Sequence, residues 1–201
     1  MTITIYDFDK TVYSGDSMVD FYLYSLSKKP SLIRHLPTQL FHILLFKLGF
    51  ENRTQVKTNF FVFLKDIDDV DQYVADFWAS HGQKLKRWYS DRDHTTDVIV
   101  SASPEFILLP LAQRLGIQKL IATRLDKKTG RIDGKNCYGS EKVNRLQQEF
   151  SDVSIVAAYT DSLSDMPVLM MAQEKYIVAG NKVMELAEYQ KLNAIQRVLL
   201  S

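Results

Sequence analysis

TITIYDFDKT, residues 2–11, decides how the rest of the chain is read. Its first half places Ile3 and Ile5 on one side of an alternating run, the period of a β-strand. That strand, Thr2 to Tyr6, leads straight into Asp7, Phe8 and Asp9. In extended geometry residues i and i+2 project to the same side, so the two carboxylates share one face. Like charges that close repel unless a cation or a proton intervenes. A lone aspartate there would read as a turn or helix-cap residue. A same-face pair after a buried run points instead to a hard cation held by a few carboxylates and waters, Mg²⁺.

Outward from this strand the pattern changes. From about Ser14 to Ser90 the apolar residues recur at helical spacing, with candidate helices over 16–29, 30–49, 52–66 and 68–90, the second divided near Pro37. Fifteen of the 23 aromatic residues lie between Tyr13 and Tyr89, enough rings for a buried core. From Asp97 strands and helices alternate. DVIVSAS reads as a strand, with Ser103 as N-cap and Pro104 opening a helix that ends at Gly116. KLIATRLD then enters a β-hairpin excursion through KKTG and RIDG. EKVNRLQQEF is a helix, SIVAAYTD a strand, DMPVLMMAQE a helix and KYIVAG a strand, and a final helix is expected over 181–200. Such alternation predicts an α/β fold, a Rossmann-like parallel sheet with helices on both faces. Residues 1–13 and 91–201 would form this core and residues 14–90 an inserted helical bundle, overhanging the edge where ligands bind.

The bulk numbers fit a globular domain of this kind. The 201 residues are 46% apolar and 24% charged, with a formal charge of +1 that gives no drive toward nucleic acid. The single cysteine, Cys137, reads as a partly buried free thiol in a reducing compartment. The longest apolar run, Leu40 to Phe50, is interrupted by Lys47 and falls short of the roughly 18–20 residues that span a bilayer. With no signal-peptide pattern at the start, the expectation is a cytoplasmic protein without a transmembrane segment, a peripheral membrane contact being left open.

Three strand ends carry polar residues: Asp7, Asp9 and Thr11 after the first, Ser101 on the second, Asp161 and Asp165 after a later one. Lys142 stands in the first turn of its helix, where the macrodipole disfavours a cation, so it is either solvated or compensated by an anion. Ser162 to Asp165 also matches a capping box, and Ser101 alone would be an ordinary loop serine.

In order and spacing, DFDKT, VIVSAS, GSEKV and YTDSLSDMPVL resemble the four motifs of the haloacid dehalogenase superfamily of phosphatases. The helical block resembles the cap inserted between the first two motifs in the branch of phosphoserine phosphatases and phosphatidylglycerophosphatases. Two positions depart from the pattern: Lys10, where a small residue is common, and Thr160, often glycine. The resemblance implies an aspartyl-phosphate mechanism. Asp7 would be the nucleophile and Asp9 the acid and base. Mg²⁺ would sit on Asp7, Asp9 and Asp161. Ser101, Lys142, Phe8 and Ala102 would bind phosphate, Thr11 would hold Asp9, and Asp165 would orient Lys142 or a metal-bound water.

The substrate implied is a small phosphorylated metabolite or a lipid phosphate. Residues 28–57 carry six Lys or Arg against one acid, Glu51, which suits an anionic substrate with an apolar tail or a membrane surface. The same residues also suit a packed bundle with solvated bases. A phosphotransferase on this fold, or a non-catalytic module that binds a phosphorylated ligand, are the competing readings. A binding module predicts the loss of a catalytic group, and none is lost. Dehalogenation needs no acid at Asp9, and a receiver domain lacks both this aspartate spacing and a helical insertion. The oligomeric state is not legible.

Overall fold

The computed structural model describes residues 1–199. Strand β1 (Thr2–Tyr6) forms where the alternation puts it, and its two faces feed two cores. Ile3 and Ile5 pack with Val98, Val100 and Ala158, whereas Tyr6 packs with Ile99 and an aromatic cluster. After β1 come helices α1 (Ser17–Lys28), α2 (Leu36–Lys47), α3 (Arg53–Phe60), α4 (Val70–His81) and α5 (Arg87–Ser90). The α/β part follows as β2 (Asp97–Pro104), α6 (Glu105–Leu115), β3 (Lys119–Thr123), α7 (Ser140–Glu149) and β4 (Ser154–Thr160). It ends with α8 (Met166–Leu169), β5 (Glu174–Ala179), β6 (Lys182–Glu185) and α9 (Leu186–Leu199).

Among the described residues the sheet runs β3-β2-β1-β4-β5-β6, parallel through β5, with β6 antiparallel at the edge. Tyr6 sits opposite Ile99 on one side and Tyr159 on the other, so β1 and β4 end together while β2 runs on past them to Pro104. The neighbours of β1 diverge in chain order here, and a crevice opens at such a switch point. Tyr6, Tyr159 and Tyr176 stack across three strands, with centroids 4.8 and 4.6 Å apart.

The aromatic residues of the helical segment join the sheet's own core. Phe21, Phe61, Phe63, Phe77 and Trp78 pack in one cluster with Phe106, Ile107 and Leu111 of α6. The Trp78 indole also donates to the carbonyl of Ile107 (2.6 Å). Each large apolar side chain buried this fully contributes about 1.5–3 kcal/mol. The helical segment is therefore anchored to one face of the sheet over several rings.

Four local readings need correction. Ser103 is not an N-cap: β2 runs on to Pro104, paired with Thr123, and the Ser103 hydroxyl is taken by another carboxylate. The expected helix over 165–174 shrinks to a 3-10 turn (Leu163–Asp165) and α8, because Glu174 must already pair with Ala157 in β5. The strand from Lys119 stops at Thr123, and the residues after it form the hairpin bridged at Leu125 and Ile132. The stretch expected to open the last helix is instead β6, folded back on β5 through Gly180 (φ +59°) and Asn181. Leu200, the expected end of that helix, lies outside the described residues. The second candidate helix divides at His35, with a 3-10 segment (Pro30–His35) before α2, close to the break read at Pro37.

Candidate active site

The first carboxylate is placed by the sheet. Asp7 follows β1 directly, and its amide donates to the carbonyl of Tyr159 (2.9 Å). Lys142, in the first turn of α7, donates its ammonium to Asp7 Oδ1 (2.8 Å) and to Asp165 Oδ2 (2.6 Å). Burial works against that ammonium, but the two carboxylates outweigh it and its pKa is raised. Lys142 is thus compensated by anions, the second of the two situations open to a lysine at a helix start. Asp165 is buried and also accepts from the Thr160 hydroxyl (3.0 Å), so it does not close a capping box. The capping is done by Ser162, whose hydroxyl accepts from the Ser164 amide.

Thr11, expected beside Asp9, serves Asp7 instead. Its hydroxyl donates to Asp7 Oδ2 (3.3 Å) and accepts the amide of Asp161 (2.9 Å), tying the β1 loop to the β4 loop. Asp9 turns the other way. It accepts from the Ser17 amide at the start of α1 (2.6 Å) and from the Ser103 hydroxyl, which also accepts from Ser17 Oγ (3.1 Å). Burial and the nearby charge of Asp16 push the Asp9 carboxyl up to about 7, against the pull of these hydrogen bonds. The two aspartates line one cavity of about 580 Å³ together with Ser101, Ala102, Lys142, Asp161 and Asp165.

The Phe8 ring has no place in that cavity: it is wholly buried against Tyr13 and Trp78, leaving only its backbone for a ligand. Ser101 is buried, and its hydroxyl oxygen accepts the Ser103 amide (3.0 Å), which leaves the hydroxyl proton free to donate. Lys10 takes a left-handed conformation (φ +58°), alone among the described non-glycine residues. Glycine is the residue that this backbone favours, because it alone lacks the β-carbon that crowds there. The Lys10 carbonyl is gripped, with that of Gly180, by the buried ammonium of Lys86.

Asp7 and Asp161 bear on whether a metal fits. Burial and the charge of Asp7 push the Asp161 carboxyl up to about 6, the mark of two facing carboxylates short of positive charge. No group of three or more His, Cys, Asp or Glu side chains gathers for a metal among the described residues. Two carboxylates, a backbone carbonyl and waters are a donor set for Mg²⁺, which keeps much of its water, and not for an all-protein cage.

Several residues were not legible as part of the site. Lys57, from α3, donates to the carbonyl of Ala102 (2.6 Å) and to Asn136 Oδ1 (2.8 Å) above the cavity. The Thr123 hydroxyl donates to the same carbonyl (2.6 Å). Burial lowers the Lys57 ammonium to about 8, against the attraction of Asp9 and Asp16. The sequence marks Lys57 only as one of six cations in a basic stretch, because the partners that fix it lie 45 and 79 residues away. Ser103 was findable: it stands at i+2 from Ser101 on one strand face. Cys137 is buried and free, its thiol pushed up to about 11 by burial, and it plays no part.

Residues 4–170 match the family of haloacid dehalogenase-like hydrolases. The protein CicA of Caulobacter vibrioides is 45% identical over 104 residues, 49% of this chain and 41% of that protein. The match thus spans less than half the length of that relative. Among solved structures, a protein of unknown function from Bordetella pertussis superposes with a TM-score of 0.72 at 21% identity, over 87% of this chain and 88% of that one. A phosphoserine phosphohydrolase-like protein from Francisella tularensis gives 0.58 at 16% identity, over 87% and 86%. Both are likenesses of fold.

Proposed function

The chain belongs to the haloacid dehalogenase-like hydrolase family, and from that premise we propose that it is a phosphomonoester hydrolase working through an aspartyl-phosphate. One observation carries the reading: two carboxylates two residues apart have unlike surroundings. Asp7 lies against Lys142 and Thr11, Asp9 against the Ser17 amide and the Ser103 hydroxyl. Paired acids held in different environments divide into a nucleophile and a proton donor.

A carboxylate oxygen of Asp7 bonds to phosphorus as the bond to the ester oxygen breaks. The departing oxygen takes the proton of Asp9, whose carboxyl, held near 7, is substantially protonated at neutral pH. Ionised Asp9 then takes a proton from water as that water bonds to phosphorus, the Asp7–phosphorus bond breaks, and inorganic phosphate leaves. Lys142, the Ser101 hydroxyl and the backbone at Phe8 and Ala102 hold the phosphoryl oxygens and the charge that develops on them. Asp165 keeps Lys142 in place. The carboxylates of Asp7 and Asp161 and the carbonyl of Asp9 would hold Mg²⁺, which would supply the positive charge that lets an anionic nucleophile meet an anionic ester.

The cavity wall supports a substrate class. Ile43, Phe46, Val56 and Phe60 give it an apolar side, while Arg53 and Lys57 bring two cations. This suits a phosphorylated metabolite or lipid phosphate with an apolar body. Residues 14–90 act as a cap over a core of 1–13 and 91–201, and the protein works in the cytoplasm. Phosphate release from p-nitrophenyl phosphate, phosphoserine, sugar phosphates, nucleotides and phosphatidylglycerophosphate in detergent, each with and without Mg²⁺, tests the reading. Mg²⁺-dependent turnover of at least one ester is expected; none from folded, metal-loaded protein would move the assignment to a binding role.

A further inference from the structure

Helix α2 is built inside out. Its buried residue is polar: Gln39 accepts from the Tyr22 hydroxyl (2.6 Å) and donates to the carbonyl of Phe60 (2.8 Å). Three of its large apolar residues face solvent instead, with Leu40 55%, Phe41 56% and Leu44 52% exposed, and Leu48, capping its end, is 60% exposed. Phe50, just past the turn at Gly49, is 75% exposed. Residues 40, 44 and 48 recur every fourth position, and 41 lies beside them, so they form one stripe. Single exposed leucines are ordinary, but a contiguous apolar stripe marks a contact surface.

The surroundings of the stripe narrow the partner. Residues 28–57 hold six cationic side chains and one acid. That acid, Glu51, is engaged by His42 (2.6 Å), Arg34 is paired with Asp66 (2.6 Å), and Arg53 and Lys57 belong to the cavity wall, which leaves the exposed Lys28 and Lys47 as the cations free to meet an anionic surface. Lys47 stands exposed between Leu44 and Leu48, where its stem can lie along the apolar row and its ammonium reach outward. The inner flank of the same helix, through Ile43 and Phe46, lines the catalytic cavity.

We propose that this stripe docks on an anionic phospholipid bilayer, with α2 lying in the plane of the headgroups. Twelve helical residues span about 18 Å, which suits lying in an interface. No helix of the described residues is long and apolar enough to cross a membrane, so the contact is made along the surface. A second copy of the chain is the poorer occupant. Stable protein pairs bury roughly 20–30 residues a side, against five large apolar side chains here, and like copies would oppose like cations. The proposal concerns the outer surface of α2 and stands apart from the chemistry in the cavity.

Co-sedimentation of the whole chain with phosphatidylcholine vesicles, with and without phosphatidylglycerol, tests it. Wild type is expected to bind the mixed vesicles, more weakly at high salt, and to leave pure phosphatidylcholine largely unbound. The double variant Phe41→Glu/Leu44→Glu should lose at least about a hundredfold in partitioning, and Lys47→Gln about fivefold. Neither Phe41 nor Leu44 lines the cavity, so thermal melting and hydrolysis of p-nitrophenyl phosphate should match wild type in the double variant. Wild type that stays free of anionic vesicles would overturn the proposal. So would a dimer in sedimentation equilibrium that the double variant splits, since a second copy would then cover the stripe. Binding is read without turnover, so a chain that docks but releases no phosphate would refute the hydrolase and leave the docking surface standing.

Discussion

Replacing Lys142 with methionine keeps most of the side-chain volume and removes the charge. The ammonium is 4% exposed and its partners Asp7 and Asp165 are 13% and 5% exposed, so water can do little to replace it. Breaking a buried ion pair by deleting one partner costs about 3–5 kcal/mol. For a chain of this length each kcal/mol is worth about 2–4 °C, which gives a fall in Tm of about 6–20 °C. The loss should depend on pH with a definite sign. Burial already raises the Asp165 carboxyl against the pull of Lys142, so without Lys142 its folded pKa lies further above the unfolded one. It therefore favours the folded state below the unfolded value and loses that contribution as pH rises through the folded one. The deficit against wild type should be smaller at pH 5 than at pH 8. Adding Asp165→Asn removes one uncompensated charge and should recover part of the lost Tm. Thermal melts in a chelator, so that no divalent cation substitutes, make the test. A Tm within about 2 °C of wild type at pH 8, or a double variant no better than the single one, would refute the reasoning.

Other substitutions read other parts of the account. Lys57 is charged below about 8 and neutral above it, so KM for an anionic ester should rise as pH passes through 8. Lys57→Met should raise KM at pH 7 and flatten that limb in steady-state pH profiles. A β-carbon at Gly130 would lie 2.3 Å from the carbonyl oxygen of Phe61 at a φ of +74°. Gly130→Ala should therefore cost about 2–4 kcal/mol in chemical denaturation, through both the collision and the strained backbone. Lys10→Gly relieves a left-handed conformation and should add about 0.5–1 kcal/mol in the same measurement.

The fold was legible because the parallel strands announce themselves as separate apolar runs between helical stretches. β1 reads from Ile3 and Ile5, and the junction at Asp7 marks where the sheet ends. β6 was not, because four residues after a Gly-Asn turn look like the opening of the helix that follows them. The same limit applies to Thr11 and Ser103. Their residue types promised hydrogen bonds, but which carboxylate each would meet depended on how two loops approach one another. Asp7, Asp9, Ser101, Lys142, Asp161 and Asp165 could be grouped because parallel strands bring their carboxyl ends together whatever the loops do. Lys57 could not be grouped with them, since it stands on α3 and not at a strand end, and only the packing of that helix brings it to the cavity. The outward face of α2 was hidden for a related reason. Composition showed an apolar, basic stretch, but only the packing of Gln39 decided which side faces in.

The central claim is that Asp7 attacks phosphorus. Its direct test is phosphate release by wild type and Asp7→Asn with Mg²⁺, on whichever ester of the panel turns over fastest. Asparagine keeps the size and a hydrogen-bonding oxygen for Lys142 while removing the nucleophilic charge. A loss of kcat of at least about a thousandfold is expected, with the fold intact by circular dichroism. Turnover by Asp7→Asn at the wild-type rate would contradict it.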